Sequence, residues 1–164
     1  MLFRSQPRDN DERLALLGVC RFTNRSLALA CLYADAFAAD PSLAEDHQSA
    51  RRFRAARAAA LVGSGRGADV AGVGEPERAR WRQQARQWLR TDLAAWSQAL
   101  NRDSSAARDL QYLVGAWRGD AELAGLFEPA ELDKLPPDER KDCVALSKET
   151  DGLLTRAGGT APKS

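Results

Sequence analysis

One uninterrupted helical pattern, from Glu75 to Asn101, constrains the fold more than any other stretch of this sequence. Its apolar residues recur at intervals of three, four, seven and eight positions, which place them on one face of a helix. They are Trp81, Ala85, Trp88, Leu89, Ala95, Trp96, Ala99 and Leu100. Each indole buries about 150–250 Å², which contributes roughly 4–6 kcal/mol at about 25 cal/mol per Å². We therefore expect one long helix whose tryptophans form a hub for all the other helices.

Shorter helical patterns occupy the rest of the chain, and no stretch alternates with period two for long enough to form a strand. Helices are predicted after the capping residues 9–11, over 25–39, over 42–62, over 106–117 and from 136 to 157. Thr23 or Asn24 is expected to cap the second of them. The pattern as a whole predicts an all-α fold.

The predicted organisation is a single helical domain, 9–157, between tails at 1–8 and 158–164. The domain is divided into a hairpin part at 9–62, a glycine-rich loop at 63–74, and the long helix with the C-terminal helices at 75–157. The loop contains Gly63-Ser64-Gly65-Arg66-Gly67 but lacks the Gly-Lys-Ser/Thr ending of a phosphate-binding loop. We interpret it as a helix stop.

The charge of the chain is balanced overall but unevenly distributed. The formal net charge is +1, which provides no general attraction to nucleic acid or to a membrane surface. Residues 51–90 carry ten arginines against three acids, a net +7, whereas residues 120–151 carry ten acids against four bases, a net −6. We expect these two blocks to face each other or the solvent. No apolar run approaches the about 20 residues of a membrane helix, and no secretory pattern opens the chain, so we expect a cytoplasmic protein.

Few residues of this chain are suited to metal or nucleophilic chemistry. The three cysteines, Cys20, Cys31 and Cys143, include no Cys-x-x-Cys pair, and His47 is the only histidine. A zinc site would need carboxylates to complete its ligands, so the cysteines are interpreted as small buried apolar side chains. One histidine without a nucleophile nearby in sequence does not indicate a catalytic triad, and we expect His47 to lie at the surface. No metal, cofactor or catalytic residue is predicted.

One acidic residue, Asp92, lies within the apolar face of the long helix. At 100° per residue it projects between Trp81, Trp88 and Trp96. A lone buried carboxylate costs several kcal/mol unless it is paired or hydrogen-bonded. We expect Asp92 to accept hydrogen bonds from a buried arginine or from helix N-termini. The alternative is a catalytic acid with a raised pKa.

An arginine ladder runs along the same helix at intervals of four residues. It consists of Arg78, Arg82, Arg86 and Arg90. A row of guanidinium groups can bind an acidic protein segment or the phosphates of nucleic acid. It can equally lay its methylene groups over apolar surface and pair with the acidic C-terminal block. The ladder is therefore a candidate partner-binding site with a structural alternative.

The second predicted helix has the spacing of a known repeat. Leu29, Tyr33, Ala36 and Pro41 resemble the second half of a tetratricopeptide repeat, in which small and aromatic residues interlock paired helices and a proline closes the unit.

A longer series of segments resembles one larger family. The segments are 32–41, 65–67, 77–85, 88–96, 120–126 and 135–140. In this order they are similar to the region that follows the tetratricopeptide arrays of large planctomycete proteins, many of which carry an N-terminal serine/threonine kinase domain. The resemblance implies a helical module for assembly or partner binding. The motifs of the kinase itself are not in this sequence, so no catalytic residue is carried over.

Together these observations predict tetratricopeptide-like hairpins packed into a compact bundle of five to six helices around one long tryptophan-rich helix. Its expected structural core contains Trp81, Trp88, Asp92, Trp96 and Trp117. The expected function is non-catalytic: an interaction or capping module of a larger regulatory protein, whose partner is a peptide segment or the adjoining repeat array. The alternatives are binding of nucleic acid or an acidic ligand by the arginine ladder, and an enzyme built on Asp92.

Overall fold

The computed structural model describes residues 9–158, and this part of the chain is helical with no strand. Its nine α-helices are α1 (Asn10–Phe22), α2 (Ser26–Ala39), α3 (Ser42–Glu45), α4 (Arg51–Gly63), α5 (Glu75–Arg102), α6 (Ala106–Gly115), α7 (Ala124–Phe127), α8 (Pro129–Leu132) and α9 (Pro137–Arg156). Single 3-10 turns lie at His47–Ser49, Trp117–Gly119 and Ala121–Leu123. The all-α prediction is confirmed. The predicted tails lie outside the described residues, apart from Gly158.

The long helix predicted at Glu75–Asn101 is confirmed, since α5 runs without a break through Arg102. Pro76 lies in its first turn, where a missing backbone N–H costs nothing and the fixed φ suits a helix. Glu75 and Glu77 in the same turn stabilise the positive end of the helix dipole.

The first helices pack in the order in which they follow each other along the chain. Helix α1 packs on α2, α2 packs on α4, and α4 makes the most extensive contact of the fold with α5. Helix α4 can lie between two neighbours because its buried residues include five alanines, whose small side chains allow close approach: Ala55, Ala56, Ala58, Ala59 and Ala60. The expectation that every helix packs on the long helix is therefore only partly met, since α1 and α2 pack mainly elsewhere.

The prediction of one helix over 42–62 is wrong. Helix α3 ends at Glu45, and a 3-10 turn separates it from α4. The Asp46 side chain accepts hydrogen bonds from the backbone N–H groups of Gln48 and Ser49, and Ala50 adopts a left-handed conformation with φ of 54°. A short acidic side chain that bonds the next turn competes with helical hydrogen bonding, which explains the break.

The tryptophans differ in their burial. Trp96 and Trp117 are each only 2% exposed, whereas Trp81 and Trp88 are half-buried and pack against the core from its edge. Phe53 stacks on Trp117, with ring centroids 5.9 Å apart, and so joins α4 to the C-terminal part of the fold. The indoles thus lie on the core without all being enclosed by it.

The glycine-rich loop at 63–74 returns to the beginning of α2. The Ala68 N–H donates to the Asn24 carbonyl oxygen over 2.8 Å. The Asp69 carboxylate accepts from the backbone N–H groups of Leu27 and Ala28 over 3.0 and 2.9 Å. The prediction that Thr23 or Asn24 caps α2 is wrong. Asp69 supplies the cap from a distant part of the chain. Free N–H groups at a helix start are satisfied by any oxygen that reaches them.

We expect Asp69→Ala to lower the free energy of unfolding by about 1–2 kcal/mol, because two N–H groups of α2 lose their acceptor. For a chain of this size that corresponds to roughly 3–6 °C in Tm, measured by thermal denaturation followed by far-UV circular dichroism. The matched control is Asp35→Ala, an exposed acid on the same helix. Equal melting temperatures for the two variants would contradict the capping role.

None of the helices within residues 9–158 combines the length and the apolar character that crossing a bilayer requires.

Candidate functional site

A groove of about 260 Å³ opens between α1, α2 and α4. Its apolar lining comes from all three helices and comprises Leu14, Leu17, Leu29, Ala58 and Leu61. Beneath it, Leu17, Tyr33 and Ala55 form a small cluster separate from the main core, so the groove has a fixed base. The volume is slightly below the about 300–1,000 Å³ of typical sites for drug-sized ligands, which suits one or two side chains of a peptide.

Five arginines line the same groove. They are Arg21 and Arg25 from the α1–α2 hairpin, and Arg51, Arg54 and Arg57 from α4. The three arginines of α4 follow each other at intervals of three residues, which keeps them on neighbouring positions of one helix face. The buried alanines of α4 lie mostly on the other faces, with Ala58 at the edge of the groove, so the fold directs these cations into the groove.

Four of these arginines have no acidic partner within the described part of the chain: Arg21, Arg25, Arg51 and Arg54. The fifth is paired, since Arg57 Nε lies 3.1 Å from an Asp120 carboxylate oxygen and 2.7 Å from Glu122. Arg57 Nε donates no hydrogen bond among residues 9–158, so these two contacts are ion pairs without hydrogen-bond geometry. Among the described residues that line the groove, Glu122 is the only acid, so the groove carries a strong positive charge.

A tyrosine lies among these cations. Tyr33 is 6% exposed and lines the groove. Burial raises the pKa of its phenol, and the nearby positive charges of Arg54, Arg21, Arg51 and Arg57 act in the opposite direction. At neutral pH the phenol stays protonated and can donate a hydrogen bond. The groove thus combines cations, one neutral donor and an apolar lining.

The predicted arginine ladder is largely engaged with the C-terminal acids of the same chain. Arg82 binds Glu139, Arg86 binds Asp142, and Arg90 binds both Asp142 and Glu149. Of the two arrangements expected for the basic and acidic blocks, facing each other is the one found for these arginines. Binding of an outside partner by the ladder stays a prediction, and it would require these pairs to open.

The first residue of the ladder, Arg78, is placed differently. Its side chain is half-buried, its guanidinium lies against Gly65, and its Nε is buried without a hydrogen-bond partner among the described residues. A Cβ at Gly65 would lie 2.9 Å from Arg78 Nη1, and the φ of Gly65 is +70°. The positive φ favours glycine at that position, whereas the guanidinium is the end of a flexible side chain and could shift.

The buried Asp92 carboxylate is paired with a buried arginine, Arg52. Arg52 Nη1 donates to Asp92 Oδ1 over 2.7 Å, and the two side chains are 8% and 2% exposed. The prediction that Asp92 accepts from a buried arginine is confirmed. Desolvation nevertheless raises the pKa of Asp92 to about 6, since it outweighs the opposing effect of Arg52.

The space beside Asp92 is small. A cavity of about 10 Å³ lies between Asp92, Trp96, Trp117 and their neighbours, which is about the volume that one water needs. His47 lines the same cavity and contacts the Trp96 ring edge-on at a centroid distance of 4.5 Å. It is half-buried, so the expectation of a surface histidine is met only in part. A raised carboxyl pKa thus occurs here without space for a substrate.

We expect acidification from about pH 7 to about pH 5 to raise the free energy of unfolding by roughly 1 kcal/mol through Asp92. Its pKa is higher in the folded state, so the folded protein binds the proton more readily and gains stability as the pH falls. The pKa values of Glu139 and Asp142 are lowered, and their contribution is lost only below the ordinary carboxylate range.

The measurement is urea denaturation of the wild type and of Asp92→Asn across this pH range. The variant removes the titration of Asp92 and keeps the size of the side chain. A wild type and variant with parallel pH profiles would contradict the assignment.

The chain matches no family model, no curated protein and no solved structure. The resemblance to the tetratricopeptide-associated region therefore stays a prediction. Within the described residues, no group of three or more His, Cys, Asp or Glu side chains could hold a metal ion. Cys20 and Cys143 are buried as expected, whereas Cys31 is exposed.

Sequence reasoning missed the groove arginines. It placed the candidate binding function on α5, and no arginine of α4 was among its candidate site residues. The sequence does contain a signal: arginines spaced three residues apart on a helix in which half of the other residues are alanine. That pattern indicates a charged face beside a face suited to close packing.

Proposed function

We propose that this chain is a non-catalytic interaction module, which holds an acidic segment of a partner protein in the groove between α1, α2 and α4. One observation carries the proposal: four arginines line an apolar groove without an acidic partner among residues 9–158. Uncompensated cations gathered on one concave surface repel each other, and an acidic ligand relieves that repulsion.

The paired arginine illustrates how the groove holds an acid. Glu122 enters it from the turn before α7 and lies 2.7 Å from Arg57 Nε. A carboxylate of a partner can meet Arg51 or Arg54 in the same manner, while an apolar side chain next to it covers Leu14 or Leu61. An acidic segment with interspersed apolar residues satisfies both parts of the lining.

The packing order of the helices supports a repeat-like module. The α1–α2 hairpin is followed by α4 and α5, with α2 packed on α4, so paired helices lie beside one another as they do in helical repeats. Together with the resemblance of the sequence, this supports a tetratricopeptide-like part that caps or extends the array of a larger, kinase-associated regulatory protein. In such arrays the curved surface of adjacent repeats binds peptides.

We expect a fluorescein-labelled peptide of alternating Glu and Leu residues to bind, with a Kd that weakens as salt is added. The double variant Arg51→Glu/Arg54→Glu should weaken this binding at least about tenfold, because two attractive charges become repulsive. Fluorescence anisotropy measures both. Arg51 begins α4, where a glutamate is favourable for the helix, so the variant is expected to fold.

The matched control is Arg102→Glu/Arg108→Glu, which changes the net charge equally at exposed positions outside the groove. Its affinity for the peptide should stay close to that of the wild type. Equal losses in both double variants would show attraction by overall charge alone. No binding of the peptide by the wild type would overturn the proposal.

A further inference from the structure

We propose that the groove recognises a phosphorylated side chain of the partner segment, held by the arginines around Tyr33. The inference rests on the proposed function and specifies the ligand of the same groove. It follows from three features: the arginines that line the groove from two helices, the Tyr33 O–H donor among them, and the positive charge that would remain if a single carboxylate were bound.

The arginines line one groove together with Tyr33. Arg21 lines it from α1, Arg51 and Arg54 line it from α4, and Tyr33 lines it from α2. A groove lined by cations from two separate helices is a property of the tertiary fold. It differs from a row of charges along one helix, which suits an extended acidic surface.

The donors in this groove exceed what a carboxylate can accept. Each guanidinium has five N–H groups arranged as a planar fork, and the Tyr33 phenol adds one O–H. A carboxylate has one negative charge and two oxygens, and in the same groove Glu122 pairs only with Arg57. A phosphate monoester has a charge of about −1.5 to −2 and three acceptor oxygens, which match several guanidinium groups at once.

The surroundings favour a protein segment as the carrier of the phosphate. Leu14, Leu17 and Leu61 lie next to the cations. Their side chains offer no hydrogen-bond donors, but apolar side chains of a bound segment can pack against them. A stacking platform for nucleic-acid bases needs several aromatic side chains, whereas Tyr33 is the only aromatic residue among the described residues that line the groove. A phosphorylated residue followed by a leucine-like residue fits both regions.

The test uses three labelled peptides that differ at one position, flanked by leucines: serine, glutamate or phosphoserine. By fluorescence anisotropy we expect the phosphoserine peptide to bind about tenfold more tightly than the glutamate peptide, an effect of about one further charge-assisted hydrogen bond. Its affinity should fall as the pH drops through about 6, the second pKa of the phosphate, while that of the glutamate peptide should not.

A conservative variant separates recognition from folding. Tyr33→Phe keeps the ring that packs on Phe37 but removes the O–H donor. It should weaken binding of the phosphoserine peptide several-fold and leave the glutamate peptide and the melting temperature nearly unchanged. The exposed Tyr112→Phe is its matched control.

The outcomes distinguish the two proposals. Equal affinity for the glutamate and phosphoserine peptides would overturn the phosphate inference and leave the acidic-segment function in place. Binding of none of the three peptides would overturn both. Competition by inorganic phosphate or by single-stranded DNA at the same concentration as the phosphoserine peptide would overturn the assignment to a protein segment.

Discussion

Replacing Asp92 with alanine is expected to lower the free energy of unfolding by about 3–5 kcal/mol, which for a chain of this size is roughly 10 °C or more in Tm. The variant leaves Arg52 charged, buried and without its carboxylate partner, since the Arg52 side chain is only 8% exposed. The lost volume adds a cavity next to Trp96 and Trp117. Thermal and urea denaturation measure the effect.

Two further variants separate the charge from the packing. Asp92→Asn keeps an oxygen that accepts from Arg52, so its loss should be much smaller. The double variant Arg52→Met/Asp92→Leu removes both charges and keeps most of the volume, and it should be more stable than Asp92→Ala alone. An unchanged melting temperature for Asp92→Ala would show that the pair does not support the fold.

Arg82→Ala is expected to cost about 3 kcal/mol or more. Arg82 is 4% exposed and joins three parts of the chain. Its Nε and Nη2 donate to the two carboxylate oxygens of Glu139 over 2.7 and 2.8 Å, Nη2 also donates to Glu75, and Nη1 donates to the Gly63 carbonyl oxygen. The paired guanidinium lowers the pKa of Glu139, which shows that the acid is stabilised in its charged form.

The neighbouring glycine makes this arrangement possible. A Cβ at Gly63 would lie 2.3 Å from Arg82 Cγ, so the end of α4 can approach the side chain only without one. Arg82→Lys keeps the charge but cannot form the planar fork, and we expect it to recover only part of the loss. Arg80→Ala, an exposed arginine on the same helix, should change the stability by no more than about 0.5 kcal/mol. A similar loss in both alanine variants would contradict the role of Arg82.

The features that the sequence predicted correctly depend on local spacing. The period of three and four in 75–101 determines one helix and its buried face without reference to other segments. The need of Asp92 for a partner follows from its place on that face. Pairing between the ladder and the acidic block follows from charge, since separated blocks of opposite sign in a small fold attract each other.

The features that it did not predict depend on contacts between distant segments. Arg51, Arg52 and Arg54 are adjacent in sequence, yet the fold buries the second against Asp92 and directs the other two into the groove. The direction of each arginine side chain depends on how α4 is rotated about its axis. That rotation is set by the packing of the α4 alanines against α2 and α5. The Asp69 cap of α2 is also a contact between distant segments. The break after Glu45 is an exception, since it depends on the local hydrogen bonds that the Asp46 side chain accepts from Gln48 and Ser49.

The return of the loop to α2 has a consequence for how the molecule holds together. Asp69 completes the first turn of α2 from 42 and 41 positions further along the chain, at Leu27 and Ala28. The intervening segment, 26–69, is thereby closed into a ring that contains α2, α3 and α4. Because α2 receives this cap only when the ring is closed, we expect the α1–α2 hairpin not to fold independently. We also expect the ring to unfold as one cooperative unit, and the groove that it lines to be lost with it.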